Sequence, residues 1–74
     1  MSKIPSIKPK KLLKLLESHG FYIHHQKGSH LILKSIHNSV LRVTIPMHNK
    51  DLKIKTLLSI LKEAELSKDI LVKN

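Results

Sequence analysis

Cysteine and tryptophan are absent from this sequence of 74 residues, and glycine and aromatic residues are scarce. Without cysteine the chain has no disulfide and no thiolate metal site, which fits a reducing, cytoplasmic compartment. No apolar run reaches the roughly 18 residues of a membrane span, and the N-terminus lacks the apolar core of a secretion signal. We therefore expect one small domain over residues 1–74, with no large buried cofactor.

Acidic residues are scarce as well, and this shortage is the most informative one. Five Asp and Glu residues face 14 Lys and Arg residues, so the formal net charge is +9 with neutral histidines. Solubility of a small domain needs a net charge of magnitude about 2–8. The excess favours a polyanionic or acidic partner, such as nucleic acid, an anionic membrane surface or an acidic protein.

The first helix is predicted over residues 8–19. Its leucines fall in one arc at a period of 3.6 residues and its lysines fall in the opposite arc. Pro9 suits the first helical turn, and Gly20 suits the left-handed position just past the end.

A second helix is predicted within residues 52–66. Its apolar stripe is expected to comprise Ile54, Leu57, Leu58, Leu61 and Ala64. In the tail, residues 67–74, Ser67 is expected to cap one short helical turn.

Three strands are predicted between the helices, in the segments FYIHHQ, HLILKS and VLRVTIP, and Pro46 marks the end of the third. The fold class is thus α+β, with the order α-β-β-β-α. We expect a three-stranded antiparallel sheet with both helices on one face and the other face open to solvent.

Strand alternation predicts which histidines share the open face. Leu31 and Leu33 belong to the core, so His30, Ile32 and Lys34 face outward. Phe21 and Ile23 are expected on the core face, which requires a hairpin loop with an odd number of residues. If Gln26 pairs with His30, the loop is Lys27-Gly28-Ser29, and a five-residue loop gives the same facing. His30 is expected beside Lys27, Lys34 and Arg42, and Ile32 is an apolar residue for a partner to cover.

Metal binding and serine hydrolysis are both weakly supported. His24 and His25 are neighbours on a strand, so they are expected on opposite faces and unable to share a metal. Ser29 and His30 are adjacent, but no buried aspartate completes a triad. We expect no metal site.

RNA cleavage fits the pattern better. It needs a base for the ribose 2′-OH, cations for the phosphate and an acid for the leaving oxygen. His30 is the candidate base, and Lys27, Lys34, Arg42 and the backbone of the Lys27-Gly28-Ser29 turn are candidates for phosphate contacts. The spacing alone nevertheless favours a solvated strand histidine over a catalytic one.

A family resemblance changes that balance. The segments QKGSHLILK, VTIPMH and TLLSILKEAELS resemble, in order and spacing, those of the HicA toxins of HicA–HicB toxin–antitoxin pairs. The match covers about residues 4–72. It implies a fold similar to double-stranded-RNA-binding domains and an endoribonuclease that cleaves messenger RNA. The chain departs from the family pattern at Asn49 and Lys55, where members often have glycine.

The resemblance also implies roles for particular residues. It makes His30 the catalytic histidine, with Gly28 and Ser29 as its motif neighbours, and it matches His48 to a second family histidine. His48 and His24 are the candidates for a second acid or base. It further implies a HicB-like antitoxin that blocks the RNA-cleaving face, while DNA is contacted only through that antitoxin.

Two other functions remain open at this point. One is a non-catalytic RNA-binding module that uses the same basic surface. The other is a protein-interaction domain whose charge docks an acidic partner.

Overall fold

The computed structural model describes residues 6–71, in which two helices and three strands follow the order α-β-β-β-α. The elements are α1 (Pro9–Ser18), β1 (Phe21–Lys27), β2 (His30–Ser35), β3 (Arg42–Pro46), α2 (Ile54–Glu63) and a final 3-10 turn (Lys68–Leu71). The predicted α+β class is confirmed. The ends of the predicted domain (residues 1–5 and 72–74) lie outside the described residues. Among residues 6–71, no helix is long and apolar enough to cross a membrane.

Helix α1 follows its predicted bounds to within one residue at each end. Leu12 and Leu16 are fully buried, because residues four apart lie on the same helical face. Gly20, just past the end, has φ +89°, in the left-handed region that glycine adopts without steric cost. Its carbonyl accepts a hydrogen bond from the N–H of Ile36 at 2.8 Å, so the same glycine turns the chain into β1.

The sheet has the strand order β1-β2-β3, and both pairings are antiparallel. Leu33 pairs with Val43 and Leu31 with Ile45, and these side chains are buried in one cluster with residues of both helices. Both helices therefore cover the predicted core face.

The apolar stripe of α2 differs from the predicted one. Leu57, Leu61 and Ala64 are buried as expected, but Ile60 completes the stripe, while Ile54 and Leu58 are 47% and 38% exposed. The predicted and the observed stripe both have a helical period. They differ in the rotation of the helix about its own axis, which places Ile60 in the core. The predicted cap at Ser67 is confirmed, since its hydroxyl accepts a hydrogen bond from the N–H of Asp69 at 3.1 Å.

The β1–β2 hairpin corrects the predicted loop. Lys27 pairs with His30 and Gln26 with Leu31, so the loop has two residues, Gly28 and Ser29. Gly28 has φ +60°, as glycine does at the first position of a type II′ turn. A β-bulge between Ile23 and His25 leaves His24 without a partner in the register. This extra residue places Ile23 opposite Leu33, as an odd loop was expected to do. The expectation that Ile23 is a core residue was wrong, because its side chain is 46% exposed on the edge strand.

The two departures from the family pattern do not disturb the entry to α2. Lys55 lies inside the first turn of the helix, and Asn49 lies in the preceding bend. Neither has a positive φ, since Glu65 is the only non-glycine residue between 6 and 71 that does. The backbone at both positions is therefore of a kind that any residue adopts.

Candidate functional site

The open face of the sheet carries a histidine and a lysine directly opposite each other at its hairpin end. His30 begins β2 and pairs with Lys27 on one side and with Pro46 on the other. Both His30 and Lys27 are exposed. The predicted placement of His30 on the open, cationic face is therefore confirmed.

A second cationic group lies at the opposite end of the same face. Lys34 pairs with Arg42, and Tyr22 pairs with Lys34 from the other side. Lys34 lies four positions from His30 along the extended strand, which corresponds to about 13 Å between their backbones. The expectation that Lys34 and Arg42 lie beside His30 was therefore wrong: they share its face but not its immediate surroundings.

His24 and His25 occupy the same face, contrary to the prediction. The bulge breaks the alternation between them, and their Nδ1 atoms lie 2.8 Å apart, with an edge-on ring contact at 5.0 Å between centroids. One ring nitrogen must donate and the other accept, so at least one imidazole of the pair is neutral. His25 pairs with Ile32, which places it diagonally from His30, about 7–8 Å away.

The pKa of His24 is lowered from its ordinary value of 6.5. Desolvation contributes most, followed by the positive charges of Lys34, His25 and Arg42, which disfavour a further cation. His24 therefore lies near the second cationic group and is predominantly neutral at neutral pH.

Ile32 needs no partner to cover it. It is 6% exposed, although it lies on the open face and outside the main core cluster. His25 and Thr44 are its neighbours in the register. The expectation that Ile32 is left open for a partner was wrong, because the chain itself covers this side chain.

The turn that carries the Gly-Ser-His motif is tied to the segment after β3. The Ser29 carbonyl accepts a hydrogen bond from the N–H of Met47 at 2.7 Å, and the Gln26 amide donates to the Gly28 carbonyl at 3.0 Å. These bonds hold Gly28 and Ser29 in place on both sides. They fix the position of the following residue, His30.

His48 lies around the edge of the sheet, on the side of the helices. It lines an open groove of about 360 Å³ together with Lys8, Lys10, Met47 and Asn49. The bond between Met47 and Ser29 keeps this groove next to the hairpin. His48 is thus close to the turn but belongs to a different surface from His24, His25 and His30.

The potential metal ligands are dispersed. Among residues 6–71, no group of three or more His, Asp or Glu side chains is arranged to hold a metal ion. The His24–His25 pair is two ligands, fewer than the three or four of protein zinc sites.

His25 is the candidate site residue that sequence reasoning missed. A regular strand through residues 24 and 25 sends one imidazole to the core side, and only the bulge brings both outward. The signal was present in the facing of Phe21 and Ile23, which requires one extra residue somewhere before His30.

Comparison with known proteins identifies the family of this chain. A family model described as the HicA toxin of bacterial toxin–antitoxin systems matches residues 9–66, from the start of α1 to just past α2. No curated protein matches the chain at a significant level. The match includes the whole open face with its Gly-Ser-His turn, and by it this chain belongs to the HicA family of bacterial toxins.

Proposed function

We propose that this toxin is a metal-independent endoribonuclease that cleaves messenger RNA and so arrests translation. The observation that carries the proposal is the exposed His30 opposite Lys27, on a sheet face whose outward residues include cations and imidazoles but no carboxylate. Membership of a toxin family agrees with it, because destruction of messenger RNA is a direct route to growth arrest.

The chemistry needs a base at the 2′-OH. In the proposed step, neutral His30 takes the proton of the ribose 2′-OH, and the 2′-oxygen attacks the adjacent phosphorus. The bond from phosphorus to the 5′-oxygen breaks, giving a 2′,3′-cyclic phosphate and a 5′-hydroxyl end. Lys27, opposite His30, stabilises the charge that develops on the phosphoryl oxygens.

The leaving 5′-oxygen needs a proton, and His25 is the favoured donor. It lies diagonally from His30 on the same face, whereas His48 lines the groove beside the helices. His24 is held neutral because its pKa is lowered, and in the proposed arrangement its Nδ1 accepts a hydrogen bond from the Nδ1–H of His25. His24 then supports the acid rather than acting as one.

Lys34 and Arg42 are proposed to hold a neighbouring phosphate of the same RNA strand. Because their backbone lies about 13 Å from that of His30 along β2, a neighbouring phosphate rather than the one being cleaved is their proposed partner. Their contribution is therefore expected in substrate binding more than in the chemical step. A cognate antitoxin, proposed to be HicB-like, would inhibit by covering this face.

The decisive test is RNA cleavage by purified variants in the presence of a chelator. His30→Ala is expected to lower the cleavage rate by about 10²–10⁴-fold, as loss of a general base does, and His25→Ala by a smaller factor. His37→Ala is the matched control, because this histidine lies in the turn after β2, at the other end of the sheet.

Parent-like cleavage by His30→Ala would refute the assignment. RNA that is bound by the parent protein without cleavage would favour the non-catalytic RNA-binding module instead. The products should carry 2′,3′-cyclic phosphate ends, and the purified antitoxin should suppress their formation.

A further inference from the structure

A second cationic surface lies on α1, outside the sheet face. Four lysines line an open groove of about 450 Å³ along the start of this helix, namely Lys8, Lys10, Lys11 and Lys14. All four are exposed. We refer to these residues as the α1 lysine groove. No Asp or Glu is among its lining residues in the described part of the chain.

This groove is continuous with the surface around His48. Lys8 and Lys10 line both the α1 lysine groove and the groove that contains His48 and Asn49. Met47, which lines the second groove, donates its N–H to the Ser29 carbonyl next to His30. The two grooves therefore form one surface from His48 to Lys14, and the bond between Met47 and Ser29 ties this surface to the hairpin that carries His30.

The lysines occupy positions that fold stability does not favour. Lys10 and Lys11 lie in the first turn of α1, which contains no acidic residue, and the N-cap residue Lys8 makes no side-chain capping bond. Cations near a helix N-terminus oppose the helix dipole, so these charges weaken the helix that carries them. Residues that break a local rule without a structural gain point to a function.

We propose that the α1 lysine groove binds the phosphodiester backbone of RNA nucleotides that flank the cleaved one. This proposal rests on the ribonuclease function proposed above and adds to it a binding site for the substrate outside the sheet face. Concave surfaces of one charge focus the electrostatic field and concentrate polyanions. Its four lysines, the absence of acidic side chains from its lining within residues 6–71 and its tie to the hairpin that carries His30 make RNA, rather than a separate acidic protein, the partner that the charge and geometry favour.

A length dependence follows from this arrangement. A short single-stranded RNA of about six nucleotides occupies the sheet face alone, whereas one of about twenty nucleotides reaches both surfaces. Only the long RNA is therefore expected to gain affinity from the α1 lysines. Each phosphate contact should steepen the dependence of log K on log salt by about 0.7.

The experiment measures binding of labelled RNA by fluorescence anisotropy, with the full-length His30→Ala protein to prevent cleavage. The test variant adds Lys10→Gln, Lys11→Gln and Lys14→Gln. The matched control adds Lys55→Gln, Lys62→Gln and Lys68→Gln instead, which removes the same charge from exposed residues of α2 and the last turn. Thermal unfolding is measured for both proteins.

The test variant is expected to bind the long RNA at least tenfold more weakly than the control and to reduce the salt slope by about 2. Its affinity for the short RNA should equal that of the control, and its unfolding temperature should be equal or higher. Equal affinity of the two variants for the long RNA overturns the proposal. Cleavage by the parent protein is scored separately, so a failed ribonuclease assignment and a failed groove assignment give different results.

Discussion

Deletion of His24 is expected to leave the fold intact, although it removes a residue from the middle of a strand. Every other pairing in the β1–β2 hairpin is already compatible with a regular strand and a two-residue loop. Without His24, Ile23 still pairs with Leu33 and His25 with Ile32. The deletion therefore removes the bulge and not the register.

The loss of stability on deletion of His24 distinguishes a strand with a bulge from a strand with regular alternation. If the strand had no bulge, the deletion would flip Phe21, which is 5% exposed, to the open face, at a cost of about 2–3 kcal/mol. A domain of this size has a total stability of about 4–11 kcal/mol. With a urea m-value of about 1 kcal/mol/M, the flip lowers the midpoint by about 2–3 M, whereas loss of the bulge lowers it by less than about 1 M.

The assay is urea unfolding of three variants followed by circular dichroism. His24→Ala keeps the chain length and reports the loss of the imidazole alone. Deletion of Ile32, opposite His25, is the contrasting case, because β2 has no spare residue and the deletion sends Leu31 and Leu33 to opposite faces. This variant is expected to lose about 4 kcal/mol or more. A His24 deletion that destabilises as strongly would refute the assigned role of the bulge.

Two further predictions concern His24 and Gly20. Because the pKa of His24 is lowered in the folded state, the unfolded chain takes up this proton first as the pH falls below about 6.5, and stability is lost on acidification. His24→Gln should weaken that loss between about pH 7.5 and about pH 5.5 in urea midpoints, and an unchanged pH profile would contradict the assignment. Gly20→Ala should lose about 1–2 kcal/mol through its positive φ, and more if His37, 2.5 Å from the added Cβ, fails to rotate away. At Gly28 an added Cβ meets no atom of residues 6–71 within 4 Å beyond its chain neighbours, so Gly28→Ala measures only the cost of the backbone conformation. Equal losses of unfolding free energy in the two variants would show that the His37 side chain rotates away from the added methyl group at position 20.

The sequence predicted the elements well because each has a strong local signal. Leucines at helical spacing and a glycine at the end define α1, and the alternation of Val43 and Ile45 before Pro46 defines β3. The face of His30 follows from the same alternation, since Leu31 and Leu33 must enter the core.

The position of the extra residue in the hairpin was beyond such reasoning. The core positions of Phe21 and Leu33 determine only whether the number of intervening residues is odd or even. A three-residue loop and a two-residue loop with a bulge both satisfy that condition, and the local sequence of Lys27-Gly28-Ser29 permits either. Which of the two structures forms determines the residues of the candidate site, because only the bulge puts His25 on the face of His30.

The stripe of α2 was underdetermined for a similar reason. Leu57, Leu61 and Ala64 are common to both alternatives, and apolar residues flank them on each side. Packing against the sheet selects Ile60 and leaves Leu58 exposed. When apolar residues lie on both sides of the shared stripe, the periodicity of the sequence does not determine how the helix is rotated about its axis.

The bulge in β1 has a consequence for how the protein behaves at high concentration. β1 is an edge strand of the sheet, and an edge strand exposes unpaired backbone groups on which another chain can extend the sheet. His24 interrupts the regular spacing of those groups. The residue that completes the histidine face thus also protects the protein against edge-to-edge aggregation. A variant without His24 would keep the fold and lose that protection.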